Sequence, residues 1–234
     1  MAKELATQNK QVGPSVEQNW AQEYGSEAFQ STIVGRLLKF NKGEWLAGQE
    51  EEEIPLGSKF IAATHILQSG WIRWEDNAPA QIVMGMRAEG FRPPPRETLG
   101  YTDKSQWGEL NGQQIDPWRR TDLLLLADPE NGDIYTYSPM SDGGLGAVKT
   151  LIKAYGDNMP MKPNDIPIVE LGSEWYKHQI YGKIYKPVLT VVGWRDANDV
   201  SFEPVDEEEE KPAAKAAPRA SAQKPAPRKK NSRR

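Results

Sequence analysis

Apolar and polar positions alternate with a period of two along most of the ordered-looking chain, and one stretch follows a helical period. Ile33–Phe40 reads as a strand running into a Lys42-Gly43 turn, and Gly57–Ala63 as a second strand. Gly70–Trp74 is a third, with Trp71 and Arg73 on one pleat face and Ile72 and Trp74 on the other. Gln81–Met86 adds a short strand. Asp122–Ala127 is an almost unbroken apolar strand, Asp128–Asp133 a hairpin turn with Asn131-Gly132 at its tip, and Ile134–Ser138 the answering strand. Leu145, Val148, Leu151 and Ile152 share one helical face, so the spacing predicts a helix over Leu145–Tyr155 with Gly156 just past its end. Ile166–Gly172 and Pro187–Trp194 close the series as strands, with Trp175–Lys186 between them.

The segments between these elements set the organisation. Glu50–Glu53 reads as a solvated loop, and Phe91–Trp118 as one long loop in which Pro93-Pro94-Pro95 bars regular structure. Residues 1–32 are rich in Gln, Asn and Ser and form a flexible leader, with a helical turn expected around Glu17–Tyr24. Residues 33–195 form one domain, and 196–234 an acidic-then-basic tail. From Phe202 onward the chain lacks the apolar surface needed to offset its conformational entropy and is expected to be disordered. The expected fold is mainly β with one helix. Three strands, a helix and two strands is the element order of an OB-like, five-stranded Greek-key barrel, here with insertions; other β-rich α+β folds share that order.

Composition removes whole classes of chemistry. The 234 residues include no cysteine and two histidines, His65 and His178. Disulfide frameworks, thiol catalysis and thiolate zinc sites have no residues to build on, and so few histidines weigh against zinc hydrolases and the usual histidine-based triads. The longest apolar run, Leu123–Ala127, falls far short of the roughly 20 residues of a membrane span. Met1–Asn9 carries no secretory-type apolar stretch, so a soluble intracellular protein without membrane contact is expected.

The formal charge of −4 averages two unlike pieces. Lys211–Arg234 holds five Lys and four Arg and no acid, +9, which leaves 20 of the 29 bases against 33 acids, −13, in the remainder. Asp206–Glu210 lies immediately before the basic stretch. A basic Pro/Ala tail is a polyanion-binding element, or it folds back on its own acidic body.

The most informative stretch is Trp175–Arg195. Lys177, Lys183, Lys186 and Arg195 occur there without an acid, interleaved with Trp175, Tyr176, Tyr181, Tyr185 and Trp194, and His178 lies among them. Unpaired nucleic acid calls for this mixture, because bases stack on aromatic faces while cations follow the phosphates. A second group joins Trp71 and Arg73 to Lys39 and Lys42 of the first hairpin; around it Arg87, Arg92 and Arg96 are offset by nearby acids. Tyr135 and Tyr137 share a strand face and are further stacking candidates. The alternative is that these rings are core and the lysines its rim. Ser141–Lys149 satisfies neither phosphate-loop pattern. Asp103, Asp116, Asp122, Asp128 and Asp133 are the acids on which magnesium-dependent nuclease chemistry would have to rest. No nucleophile–base pair is apparent, so neither catalysis nor a cofactor or metal is expected.

Gly70-Trp-Ile-Arg-Trp74, Asp116-Pro-Trp118, Thr136-Tyr-Ser138 with Gly143-Gly-Leu-Gly146, Tyr176-Lys-His178, Tyr181-Gly-Lys-Ile184 and Val191-Val-Gly-Trp194 together resemble a family of proteins encoded by tailed bacteriophages and prophages. The resemblance spans about Arg36–Arg195 and implies a phage-encoded protein acting in the host cytoplasm; it supplies no catalytic residues. The layout is also similar to phage single-stranded-DNA-binding proteins with an OB fold. Many of those end in an acidic tail that recruits replication partners, whereas here Asp206–Glu210 is followed by a basic extension. The expectation is a largely sequence-independent binder of single-stranded DNA, or of RNA, that protects replication or recombination intermediates, with phage or host replication proteins as partners of the acidic segment. The alternatives are a phage structural or host-interaction protein with a polyanion-binding tail, and a metal-dependent nuclease.

Overall fold

The computed structural model describes residues 33–76, 78–110, 113–179 and 182–202. The expected leader and the tail beyond 202 lie outside the described residues. Twelve strands and one helix follow in the order β1 (Arg36–Asn41), β2 (Glu44–Ala47), β3 (Glu52–Ile54), β4 (Lys59–Ala62), β5 (Gln68–Glu75), β6 (Ala78–Met86), β7 (Gly108–Leu110), β8 (Gln113–Ile115), β9 (Trp118–Ala127), β10 (Ile134–Tyr137), α1 (Asp142–Asn158), β11 (Asp165–His178) and β12 (Gly182–Asp196). Ten strands share one sheet in the order β12-β11-β4-β9-β10-β1-β2-β3, with β5 and β6 branching from β9; β7 and β8 pair separately.

Local chemistry accounts for the joints. Lys42 and Gly43 take φ of 50° and 103°, the paired positive angles of a two-residue turn, and Asn41 faces Glu44 across it. The β9–β10 turn falls at Asp128–Asp133: the Asp128 amide donates to Asp133 O at 2.9 Å, and Gly132 sits at φ 79°. The Ser141 hydroxyl caps α1 by accepting from the Gly144 amide at 3.2 Å. The helix starts three residues before the expected point and runs through Gly156 to Asn158; Pro160, lacking an amide hydrogen, bars its continuation.

One face of the curled sheet and α1 enclose the main core. Trp45 is fully buried there, edge-on to Phe40 at 5.2 Å and to Tyr137 at 5.0 Å. Its indole Nε1 donates to Gly172 O on β11 at 3.0 Å. This bond and the packing of Tyr185 on Gly43 draw the β1–β2 and β11–β12 ends of the path toward each other.

The architecture is thus mainly β with one helix, as expected, but the sheet is larger than a five-stranded barrel. Among the described residues no backbone ladder closes it, and β1 lies parallel to β10 where every other pairing is antiparallel. Glu52 and Glu53 belong to edge strand β3 instead of a loop, because an edge strand keeps its charged side chains in water. The folded body also continues past Arg195. Ala197, Val200 and Phe202 pack against Ile61, Ala127, Ile134 and Ile166.

His65, in a short 3-10 turn after β4, lies 5.9 Å from the Phe202 ring, and its buried Nδ1 has no hydrogen-bond partner among the described residues. Burial pushes its pKa below the ordinary 6.5. Unfolding therefore takes up a proton below about pH 6.5, so this contribution to stability is present above that pH and is lost as pH falls. Denaturant midpoints compared at about pH 7.5 and pH 5.5 are expected to fall more steeply for the native chain than for His65→Gln. Equal slopes would remove His65 from the acid sensitivity.

Candidate nucleic-acid interface

The segment Trp175–Lys186, expected only as a connection, is the outer part of a long two-stranded ribbon. β11 and β12 pair from Asp165↔Asp196 to His178↔Gly182, with a register shift between Ile168 and Val169, and keep a single register from Val169↔Val191 outward. Leu171 and Leu189 are buried, and Pro187 still is, while beyond Ser173↔Pro187 the ribbon leaves the core. Strand alternation then divides its side chains. Trp175 and Lys177 with their opposites Tyr185 and Lys183 continue the face that buries Leu171, whereas Glu174, Tyr176 and His178 with Lys186 and Ile184 occupy the other.

On the first face Trp175 is 59% exposed and Tyr185 37%. The Lys183 ammonium lies 4.9 Å from the Trp175 ring centroid and 4.6 Å from that of Tyr185, a cation held by two aromatic faces. Tyr185 is seated on Gly43: a Cβ there would come within 2.9 Å of its ring. This brings the β1–β2 turn, and the exposed Lys42 next to it in the chain, to the ribbon. Among the described residues Lys42, Lys177 and Lys183 form no ion pair. On the second face Tyr176 is 47% exposed, Lys186 is paired with Glu174 at 2.9 Å, and His178 is half-buried.

The remaining candidates scatter. Tyr181 lies outside the described residues. Arg195 is twelve residues along β12 from Lys183, about 40 Å at roughly 3.3 Å per residue, and shares a small cavity with Asp128 and Asp199. Lys39 faces Glu51 at 3.5 Å. The Trp71 indole donates to Pro94 O at 3.0 Å, and Arg73 pairs with Glu75 at 2.8 Å and covers the Tyr101 ring at 4.8 Å, so both hold the long loop against β5. Tyr135 and Tyr137 are 4% and 2% exposed and offer no ring to a ligand; burial raises both phenol pKa values. Every residue of β10 is buried, so its alternation has no solvent face.

The acids are occupied structurally. Asp116 takes a two-pronged bond from Arg96 at 2.7 and 2.6 Å, and Arg96 also donates to Gly100 O and Tyr101 O. Asp122 accepts from Ser69 at 2.7 Å, Asp103 caps a turn through the Ser105 amide, and Asp128 and Asp133 order the β9–β10 turn. Among the described residues no three His, Asp or Glu side chains gather as a metal site, and no helix is long and apolar enough to cross a membrane. The Arg96 staple yields a local prediction. Arg96→Ala leaves Asp116 without its cation and is expected to cost about 1–3 kcal/mol, seen as faster proteolysis within residues 96–107; unchanged cleavage would show that the loop is held elsewhere.

Sequence reasoning missed Gly43 as the seat of Tyr185, and it missed Tyr101 and Trp107, which take Arg73 and Lys104 over their rings. Their only sequence signal is aromatic content in a polar loop. Comparisons with protein-family models, curated proteins and solved structures returned no match, so they do not bear on the resemblance to bacteriophage proteins.

Proposed function

We propose that this chain binds single-stranded DNA with little sequence preference, through the exposed outer part of the β11–β12 ribbon. The observation that carries the reading is Lys183 seated between the exposed rings of Trp175 and Tyr185, with Lys177 across from it and the Lys42 turn brought up beneath. A base stacked on either ring brings its phosphate within reach of these ammonium groups. Unpaired bases expose their ring faces, whereas duplex bases do not.

The strand pairings support an OB-type reading of the core. β4, β9 and β10 pair in succession, α1 follows, β11 returns to β4, and β12 pairs with β11. In that scheme the ribbon is the connection between the last two strands, one of the two loops that OB folds use for oligonucleotides. β1, parallel to β10, then widens the barrel on the side where the last strand would close it. The phage resemblance suggests protection of replication or recombination intermediates in host cytoplasm, with Asp206–Glu210 as a contact for replication proteins.

Fluorescence anisotropy with labelled single- and double-stranded oligonucleotides, on the full chain and on a chain ending at Glu210, tests the proposal. Preference for single strands that persists without the basic tail is expected. Binding that vanishes with the tail would instead favour a phage structural or host-interaction protein whose tail holds polyanions.

A further inference from the structure

The two rings that are neighbours in sequence, Trp175 and Tyr176, cannot belong to one stack, because strand alternation sends them to opposite faces of the ribbon. The faces differ electrically. Trp175 shares its face with Lys177 and Lys183, neither in an ion pair among the described residues. Tyr176 shares its face with Lys186, whose charge Glu174 neutralises at 2.9 Å, and stands opposite apolar Ile184. Yet Tyr176 is nearly half exposed, so its ring is available.

We infer that the Tyr176 face is a second, separate base platform, reached by the same nucleic-acid strand only after it has been anchored on the charged face and has passed round the ribbon. The inference rests on the single-strand-binding reading and deepens it: one face supplies stacking with phosphate neutralisation, the other stacking alone. Rings on opposite faces of the ribbon are separated by its backbone and by the length of both side chains, so a strand that passes round from one to the other spends several nucleotides on the way at roughly 3.4 Å or more per nucleotide. The shortest ligands therefore use one face, and the Tyr176 ring matters only above a threshold length. Because no cation on its face is free of an acid, its removal leaves the salt dependence of binding as it was.

The test compares the full chain with Tyr176→Ala and Tyr176→Phe, using labelled oligothymidylates of roughly 4 to 16 nucleotides, the span of site sizes on single OB folds. Tyr176→Ala is expected to bind the shortest ligand as the native chain does and the longest about tenfold more weakly, as loss of one stacked base implies. The slope of log affinity against log salt stays the same, and Tyr176→Phe restores binding. A loss equal at all lengths, a reduced salt slope, or no loss at any length overturns the inference; the last result would fit a face reserved for a protein. Failure of the native chain to bind any length would overturn the single-strand reading itself, a result seen before any variant is compared.

Discussion

Trp45→Ala is expected to lower stability by about 3–5 kcal/mol, the usual cost of removing a fully buried indole. Against the roughly 5–15 kcal/mol that holds a domain together, this is a large share. Trp45 has no exposed surface, and its ring packs edge-on between Phe40 and Tyr137, so alanine leaves a cavity where three aromatic residues now meet. The same substitution removes the indole donor from Gly172 O, on a residue that also pairs with Val188 in the β11–β12 ladder. That bond joins β2 to β11 although several strands lie between them in the sheet, so its loss acts on the curl of the whole sheet. Trp45→Phe separates the two effects: it keeps much of the packing, loses the hydrogen bond, and is expected to cost the alanine variant's penalty only in part, with about 0.5–1.5 kcal/mol for the lost bond. Guanidinium unfolding of the three chains checks this. A drop of less than 1 kcal/mol for Trp45→Ala would mean that the sheet ends are held together by something other than this residue.

The features that local chemistry determines were legible in the sequence. The Lys42-Gly43 and Asn131-Gly132 turns need positive φ, and glycine supplies it cheaply at Gly43 and Gly132. The helix followed from a single apolar stripe whose central residues Val148 and Leu151 are buried. Features fixed by distant partners were not legible. Nothing near Arg36–Leu38 signals its parallel pairing with Tyr135–Tyr137, and Gly43 carries no mark of the ring that rests on it.

The ribbon escaped notice as strand because it lies outside the core. With both faces of Glu174–Lys177 in water, the alternation of buried and exposed residues that betrays a strand is missing. Its composition still singled out the segment as a candidate, since rings among cations without acids do not depend on register. What composition could not supply was the division of faces, which separates Trp175 from Tyr176, or the reach of β12, which carries Arg195 to the other end of the molecule. Tyr135 and Tyr137 show the converse error: a period of two reveals that residues share a face, but only packing decides which faces meet solvent, and on β10 none does.

Trp175→Ala is expected to weaken binding of single-stranded oligonucleotides about 5- to 150-fold, corresponding to the roughly 1–3 kcal/mol of one stacked base. Lys183→Gln acts on a different quantity. It removes a single phosphate partner, so the slope of log affinity against log salt should shrink by about 0.7, and the loss should fade as salt rises. The two substitutions are not independent, because the Lys183 ammonium rests on the Trp175 ring and on Tyr185. In Trp175→Ala the ammonium keeps only the Tyr185 contact and is held less firmly where a stacked base would bring its phosphate. The double variant should then lose less than the sum of the single losses, the signature of two groups acting on one nucleotide. Tyr185→Ala, which removes the other half of the seat, should show the same coupling with Lys183→Gln. Additive losses, or a salt slope unaffected by Lys183→Gln, would mean that phosphate and base are held at separate places and that the cation between the rings is a fixture of the unbound ribbon alone.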